Sequence, residues 1–303
     1  MILYLSNGNG DMIHCQSIDS IAQIDSKWRH KGRFFRNIDK RLFIKNKGTS
    51  STFLGNWSRK ISDYDIIIIE ALQANKLLVE YIKKNAKPDT RVILWHWNKL
   101  FSQAIAVDDP ICIGCELWSF DLDDCEKYGM HYNTQYYDSK NCVSYPYRIL
   151  HDVWFVGADK GRLKKLKEIA EIFEQHGVDY DFHITRSKES VSDYPYKKSI
   201  PYKCNLEHLA MSKAVLDIPL AGQRGLTLRP LEALFHHKKL ITSDRSITQY
   251  EFYSPQNIFV IDLDDWEGLR DFLNSPFDTS IQNKLNDYEI SSWIKRFEKK
   301  DEI

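Results

Sequence analysis

Two stretches of the chain alternate apolar runs with amphipathic segments in the rhythm of a parallel α/β sheet. The clearer one spans residues 64–97. Ile66–Ile69 is apolar and β-branched without interruption, as expected of a strand covered on both faces. The segment Ala71–Lys87 then repeats apolar positions at helical spacing, with Leu72, Leu77, Leu78, Tyr81 and Ile82 near one face. Pro88-Asp89 turns the chain, and Arg91–Trp97 reads as a second buried strand. This is a βαβ crossover, which implies a parallel sheet with a right-handed connection. Ile2–Leu5 and Ile111–Trp118 supply further strands. A second pattern starts at Asp152, with a strand to Gly157, a turn to Gly161 and a helix over Arg162–His176 stopped by Gly177. Strands over Val178–Ile184, Ala214–Ile218, Lys238–Thr242 and Asn257–Asp262 follow, with one helix after Gly225. Arg186–Cys204 is polar, with prolines and tyrosines, and reads as a long functional or linking loop. The tail Asp287–Lys300 is amphipathic, with Ile290, Trp293, Ile294 and Phe297 on one side. The boundary between the two halves is expected near Tyr145-Pro146.

A chain of 303 residues can bury two separate cores. Its hydrophobic content of 43% and charged content of 28% are those of a folded globular protein. Lysines and arginines balance aspartates and glutamates at 42 each, which argues against a dedicated nucleic-acid binder. The opening residues read directly as a strand and a turn, without the pattern of a secretory signal. No apolar run reaches the length of a membrane span. A cytoplasmic location is therefore expected, with Cys15, Cys112, Cys115, Cys125, Cys142 and Cys204 reduced. Cys112 and Cys115 form a CxxC pair that could join Cys125 and Cys142 in a zinc site. The irregular spacing and apolar surroundings favour inert thiols.

The chemistry-bearing signals lie mainly in the second half. Gly222–Thr242 is a glycine-bearing turn, a helix and a short strand. A helix start of this kind offers free N–H groups and the positive dipole end to an anion. Gly222 and Gly225 let the backbone approach the ligand, Thr227 can cap the helix, and Pro230 is tolerated in its first turn. Arg229 and Glu232 stand three apart on one face. The turn Gly157–Gly161, with Lys160 and Arg162 as cations, suits phosphate at the carboxyl end of a strand, or is an ordinary turn with solvated charges. Asp152 and Asp217 border strands and read as structural. Asp121-Leu122-Asp123 has the letters of a metal-binding DxD motif, but Asp121 reads as the cap of a helix with the other acids in its first turn. Metal-independent chemistry is expected, with no cofactor. Lys27–Lys47 is strongly basic with Trp28, Phe34 and Phe35 interleaved. It suits an anionic membrane surface or a phosphorylated glycan, and equally a solvated helix and strand edge.

Residues Met211–Asp262 resemble bacterial surface-glycan glycosyltransferases of the lipopolysaccharide-core type, and Asp152–Leu166 and Glu116–Asn133 fit the same resemblance. The resemblance implies an α/β GT-B architecture: two Rossmann-like domains facing across a cleft, with the terminal helix crossing back to the first. Residues 1–150 would bind the acceptor, 151–285 the nucleotide-sugar donor, and 286–303 would form the returning helix. A sugar would pass from a nucleoside-diphosphate donor to a lipopolysaccharide or other oligosaccharide or glycolipid acceptor, at the inner face of the cell membrane. Glu232 would hold donor hydroxyls, and Arg224 or Arg229 would neutralise the diphosphate. Gly157, Lys160, Arg162, Gln223, Gly225 and Thr227 complete the donor set. Recognition of the base is expected in the loop over residues 187–202. Trp97 and Asn98 are placed at the acceptor. An inverting enzyme would need a base at the carboxyl ends of the first-domain strands. Asp11 ranks first there, with Glu70 and His96 as alternatives. Two other readings stay open. A nicotinamide-dependent oxidoreductase would need a fuller glycine fingerprint than Asn7-Gly8-Asn9-Gly10. A non-catalytic membrane-docking module would leave the glycine loops unexplained.

Overall fold

The structure is a computed structural model that describes residues 1–6, 16–100, 104–143, 148–220 and 222–299. Asp11, Cys15 and the Tyr145-Pro146 pair lie outside the described residues. The chain divides into two units, one of residues 1–141 with 290–303, the other of residues 142–289.

Unit 1 contains β1 (Ile2–Ser6), β2 (Gln16–Ile18), β3 (Ala22–Ser26), α1 (Arg33–Lys45), β4 (Ile66–Glu70), α2 (Lys76–Asn85), β5 (Arg91–His96), β6 (Cys115–Ser119), α3 (Leu122–Tyr128) and β7 (His131–Tyr132). Its seven-stranded sheet has the order β2-β3-β1-β4-β5-β6-β7, parallel except for β2 against β3. The isoleucines of β4 explain its central place. Successive side chains point to opposite faces, so Ile67 and Ile69 join Leu78, Val79 and Ile82 of α2 on one side. Ile66 and Ile68 join Tyr4, Ile93 and Trp95 on the other. That second face is covered by the chain terminus, α9 (Ile290–Lys295), through Ile290, Trp293, Ile294 and Phe297. Trp293 stacks 4.1 Å from the ring of Tyr136, and its Nε1 donates to the Thr134 carbonyl at 2.8 Å.

Two expected elements start later than the apolar pattern suggested. Ala71 N–H still donates to the Trp95 carbonyl at 2.9 Å, and a 3-10 turn at Gln73–Asn75 follows, so α2 begins only at Lys76. Asp109 caps a single turn over Pro110–Cys112, and Gly114 takes a φ of 76°, which delays β6 to Cys115.

Unit 2 contains β8 (His151–Ala158), α4 (Leu163–Gln175), β9 (Tyr180–Thr185), α5 (Tyr202–Ala210), β10 (Ser212–Asp217), α6 (Leu228–Phe235), β11 (Lys239–Thr242), β12 (Ile258–Val260), α7 (Leu269–Asn274) and α8 (Gln282–Leu285). Its five strands are all parallel, in the order β12-β11-β10-β8-β9. Helices α4 and α7 pack on Val153, Phe155, Ala214, Leu216 and Ile241. Helix α5 takes the opposite face, where Trp154 Nε1 donates to Asn205 Oδ1 at 2.9 Å and stacks on His208. Both units are thus doubly wound α/β folds. Among the described residues, no helix is long and apolar enough to cross a membrane.

Candidate functional site at the carboxyl edge of the second sheet

From β8 the chain passes to β9 on one side and then to β10 on the other. The switch point therefore lies between β8 and β10, and ligands of open α/β sheets bind outside the carboxyl ends of strands at such a point. The loops that leave these two strands carry Lys160, Arg162, Gln223, Arg224, Gly225 and Thr227 of the expected donor set, while Gly157 lies in β8 and Arg229 and Glu232 in α6.

Arg162 and Arg229 stitch this edge together. Arg162 Nη1 donates to the Ile218 carbonyl at 2.6 Å, and its other nitrogens reach the carbonyls of Ala158 and Asp159. Arg229 Nη1 pairs with Asp217 at 2.6 Å, and Nη2 donates to the Val156 carbonyl at 2.9 Å. Both guanidinium groups lie over the Phe155 ring, at 5.5 and 5.3 Å. Burial, followed by the neighbouring Arg229 charge, lowers Arg162 to about 10. Gly157 is small for the same reason, since a Cβ there would stand 3.0 Å from Arg162 Nη2 and 3.5 Å from Arg229 Nη2. Arg162 and Arg229, both expected at the donor, thus also hold this edge together through backbone carbonyls and Asp217. The exposed cations of the two loops are Lys160 and Arg224.

The turn after β8 folds back on itself. Lys160 and Gly161 both adopt left-handed backbone, with φ of 46° and 80°. This fold-back brings the Asp159 carboxylate onto the start of α4, where it accepts from Leu163 N–H at 3.0 Å and from the Tyr196 hydroxyl. Burial alone would raise the Asp159 carboxyl. The hydrogen bonds from Tyr196, Leu163 N–H, Ser190 and Gly161 N–H outweigh it and hold the group below its ordinary range. An internal carboxylate therefore occupies the place at the α4 N-terminus where a phosphate was expected. Lys160 N–H donates to Ser187 Oγ at 2.9 Å, on the β9 side of the edge.

Helix α6 starts differently. Thr227 stands at its N-cap position, yet its side chain makes no capping hydrogen bond. Its Oγ1 is buried without a hydrogen-bond partner. The approach to the helix is glycine-bearing, with Gly222 at φ 74° and Gly225 at φ 138°, and Gln223 N–H closes a turn on the Leu220 carbonyl at 3.1 Å. One turn into the helix, Glu232 is buried under α5, where it accepts from the Tyr202 hydroxyl. Burial raises its carboxyl above the ordinary range. Tyr202 and Arg229 oppose that rise, and Asp217 adds to it. Lys160 belongs to the loop after β8, and Glu232 to α6 after β10. Asp159 went unrecognised as part of this edge, whereas Asp217, read as structural, pairs with Arg229. Asp159 did carry a signal, four residues before the first helical N–H.

The carboxyl edge of unit 1 holds a second polar cluster. Lys27, fully buried, pairs with Glu70 at 2.7 Å. Burial lowers the Lys27 ammonium despite this partner. His96 ends β5 at 3% exposure, and both of its ring nitrogens are buried without a hydrogen-bond partner. Burial lowers it to about 4. Trp97 and Asn98 follow it and are exposed. Asp121 caps α3 by accepting from Asp124 N–H at 3.2 Å, and Asp123 pairs with Lys99 at 3.2 Å, so the DxD letters are structural. Cys112 and Cys115 donate to carbonyls at 3.4 Å, and burial raises Cys112 to about 11. They are neutral thiols. Among the described residues, no group of His, Cys, Asp and Glu is arranged to hold a metal ion.

Fold and edge geometry define a protein of two doubly wound units, each with polar side chains gathered at the carboxyl ends of its strands. No protein-family model matches the chain, and a search of curated proteins finds no match. Solved structures do resemble it in chain path. AviGT4, a glycosyltransferase involved in avilamycin A biosynthesis, is 12% identical over 98% of this chain and 95% of its own, with a TM-score of 0.48. S. aureus MnaA in a co-structure with UDP is 8% identical over 98% and 94%, with a TM-score of 0.45. Anabaena Alr3699/HepE, in complex with UDP and glucose, is 10% identical over 98% and 94%, with a TM-score of 0.38.

Proposed function

We propose that the chain is a nucleotide-sugar-dependent glycosyltransferase acting in bacterial surface-glycan synthesis, of the lipopolysaccharide-core type. Unit 2 binds the nucleoside-diphosphate sugar at its β8/β10 edge, and unit 1 binds an oligosaccharide or glycolipid acceptor. The observation that carries the reading is the start of α6. A buried hydroxyl, Thr227 Oγ1, lacks a partner there, at a helix N-terminus that no side chain caps. Such an end attracts the oxygen of a phosphate group. The equivalent end of α4 is already filled by Asp159, so the diphosphate belongs to α6. Gln223, Gly225 and Thr227 line its approach, Arg224 and Lys160 offer exposed charge, and Glu232 takes two sugar hydroxyls. Asp121 and Asp123 are engaged elsewhere, so fixed N–H groups and cations, with no metal or other cofactor, stabilise the leaving diphosphate. In the transfer the bond from the anomeric carbon to the diphosphate oxygen breaks and a bond to the acceptor oxygen forms. The acceptor proton passes to a base on unit 1. Asp11 and His96 are the candidates, and the buried, unpartnered imidazole of His96 supports the latter.

Calorimetry of the full chain with UDP, GDP, TDP and NAD tests this, with and without chelator. Saturable binding of one nucleoside diphosphate, insensitive to chelator and weakened about tenfold by Thr227→Val through loss of one hydrogen bond to a charged group, is expected. Binding of NAD alone would favour an oxidoreductase. No nucleotide binding at all would sink the enzymatic reading.

A further inference from the structure

We propose that α1 is a docking helix for a bilayer that carries anionic lipid headgroups. The proposal concerns unit 1 alone and does not depend on the donor site of unit 2.

Helix α1 buries only Asp39 and Phe43. Phe43 meets Trp28 edge-on at 5.6 Å, and Asp39 accepts from His30 N–H at 2.8 Å. On a helix of 3.6 residues per turn, Phe34, Phe35, Ile38 and Leu42 fall in one sector of about 100° on the outward side. Their exposures are 72%, 57%, 37% and 37%. Single exposed apolar residues are ordinary, but a contiguous apolar helix face with two phenylalanines marks an interaction surface.

Charge identifies the occupant. Arg29, Lys31, Arg33, Arg41, Lys45 and Lys47 are exposed around this sector, and none forms an ion pair among the described residues. The helix has one carboxylate, Asp39, and it is turned inward onto His30. The chain as a whole is neutral, so this cationic excess is local. A cationic rim around an aromatic and aliphatic face matches the headgroup and acyl layers of an anionic membrane, with the long Lys and Arg stems reaching outward to the headgroups. A second copy of the chain would bring like charges face to face in a two-fold contact. Nucleic acid or a soluble phosphorylated glycan would match the cations and leave the phenylalanines in water.

Co-sedimentation of the full chain with vesicles provides the test. Vesicles of phosphatidylcholine alone are compared with vesicles that also contain phosphatidylglycerol, at low and high salt. Binding is expected only to the anionic vesicles and should fall with salt. Arg33→Glu with Arg41→Glu should weaken partitioning at least about twentyfold, from roughly fivefold for each cation lost. Phe34→Ser with Phe35→Ser should weaken it more than about tenfold. These residues are exposed, so both variants should keep the parent melting temperature and nucleotide affinity, which separates this result from any failure of the transferase reading. Equal binding to neutral vesicles overturns the proposal. So does a vesicle-free dimer abolished by the phenylalanine changes, or binding to a soluble phosphorylated oligosaccharide that survives them.

Discussion

Replacing Glu232 by Gln separates a functional carboxylate from a structural one, because the two roles predict opposite signs for stability. The side chain is 6% exposed, and burial raises its pKa despite the Tyr202 hydrogen bond and the Arg229 charge. A carboxyl raised in the folded state contributes stability that is complete below the unfolded value and is lost as pH rises through the folded value. At neutral pH, then, the folded protein bears a cost for burying this ionisable carboxyl, which the unfolded chain holds charged in water. Glutamine has nearly the same volume and still accepts from Tyr202, but it cannot ionise. Unit 2 should gain about 1 kcal/mol, in the range common for removing a functional liability, and melt about 2–4 °C higher. The gain should vanish below about pH 4, where the unfolded glutamate is itself protonated. Binding should move the other way. Two charge-assisted hydrogen bonds to sugar hydroxyls become neutral ones, a loss of about 1–3 kcal/mol, or roughly fivefold to 150-fold in Kd. Scanning calorimetry across pH, with titration of the nucleoside diphosphate that binds the parent, measures both. A variant that melts lower at neutral pH and binds nucleotide as well as the parent would refute the argument and make Glu232 an anchor for Tyr202.

Asp159→Asn removes the internal anion of α4 and should cost about 1–2 kcal/mol at neutral pH, as for loss of a helix cap. Because the Asp159 pKa is depressed in the fold, the parent should lose that stability as pH falls through its folded value, and the variant should melt with less acid dependence. Glu70→Gln leaves buried Lys27 without its carboxylate and should destabilise unit 1 by about 3–5 kcal/mol in urea unfolding, while Lys27→Met with Glu70→Leu should restore most of it. His96, lowered to about 4, contributes stability that is present above its unfolded value and lost as pH falls towards 4. His96→Gln should flatten that acid limb. If His96 is the base, the variant should also lose about 100-fold to 10,000-fold in kcat/KM, whose parent pH profile stays level down to about pH 5.

The legible parts of this molecule are those where one apolar pattern has one solution. Four consecutive isoleucines in β4 must be covered on both faces, which fixes a central parallel strand and the helices around it. The amphipathic tail was legible as a helix for a similar reason, although Glu289 is extended, so α9 begins only at Ile290 and passes into a 3-10 turn over Arg296–Glu298. Side-chain hydrogen-bond partners were not legible. Arg162 next to a glycine turn reads as a phosphate cation, and only the tertiary positions of the Ile218, Ala158 and Asp159 carbonyls show that its donors are engaged. Helix α1 read as basic and aromatic, but its periodicity could not say that Phe34 and Phe35 face outward while Asp39 faces in.

The two helix starts of unit 2 show why glycine-bearing turns are ambiguous in a sequence. The positive end of a helix needs a negative partner, and either the chain or a ligand can supply it. After β8 the chain supplies it. Asp159 lies four residues before Leu163, the left-handed pair Lys160 and Gly161 folds it back, and Tyr196 takes its second oxygen. After β10 the loop contains no acidic residue between Asp217 and Glu232, and Asp217 is held by Arg229 and Thr242. The helix end there is left with Thr227, whose hydroxyl has no partner. A buried polar group without a hydrogen bond costs about 1–3 kcal/mol, and a bound phosphate oxygen would relieve that cost at the same moment as it met the dipole. On the proposed reading, the asymmetry between Asp159 and Thr227 is what selects between the two similar turns. Giving α6 its own carboxylate, by Thr227→Asp, should stabilise the free protein by about 0.5–1 kcal/mol and abolish nucleotide binding in the same calorimetric assay. Undiminished binding in that variant would place the diphosphate elsewhere.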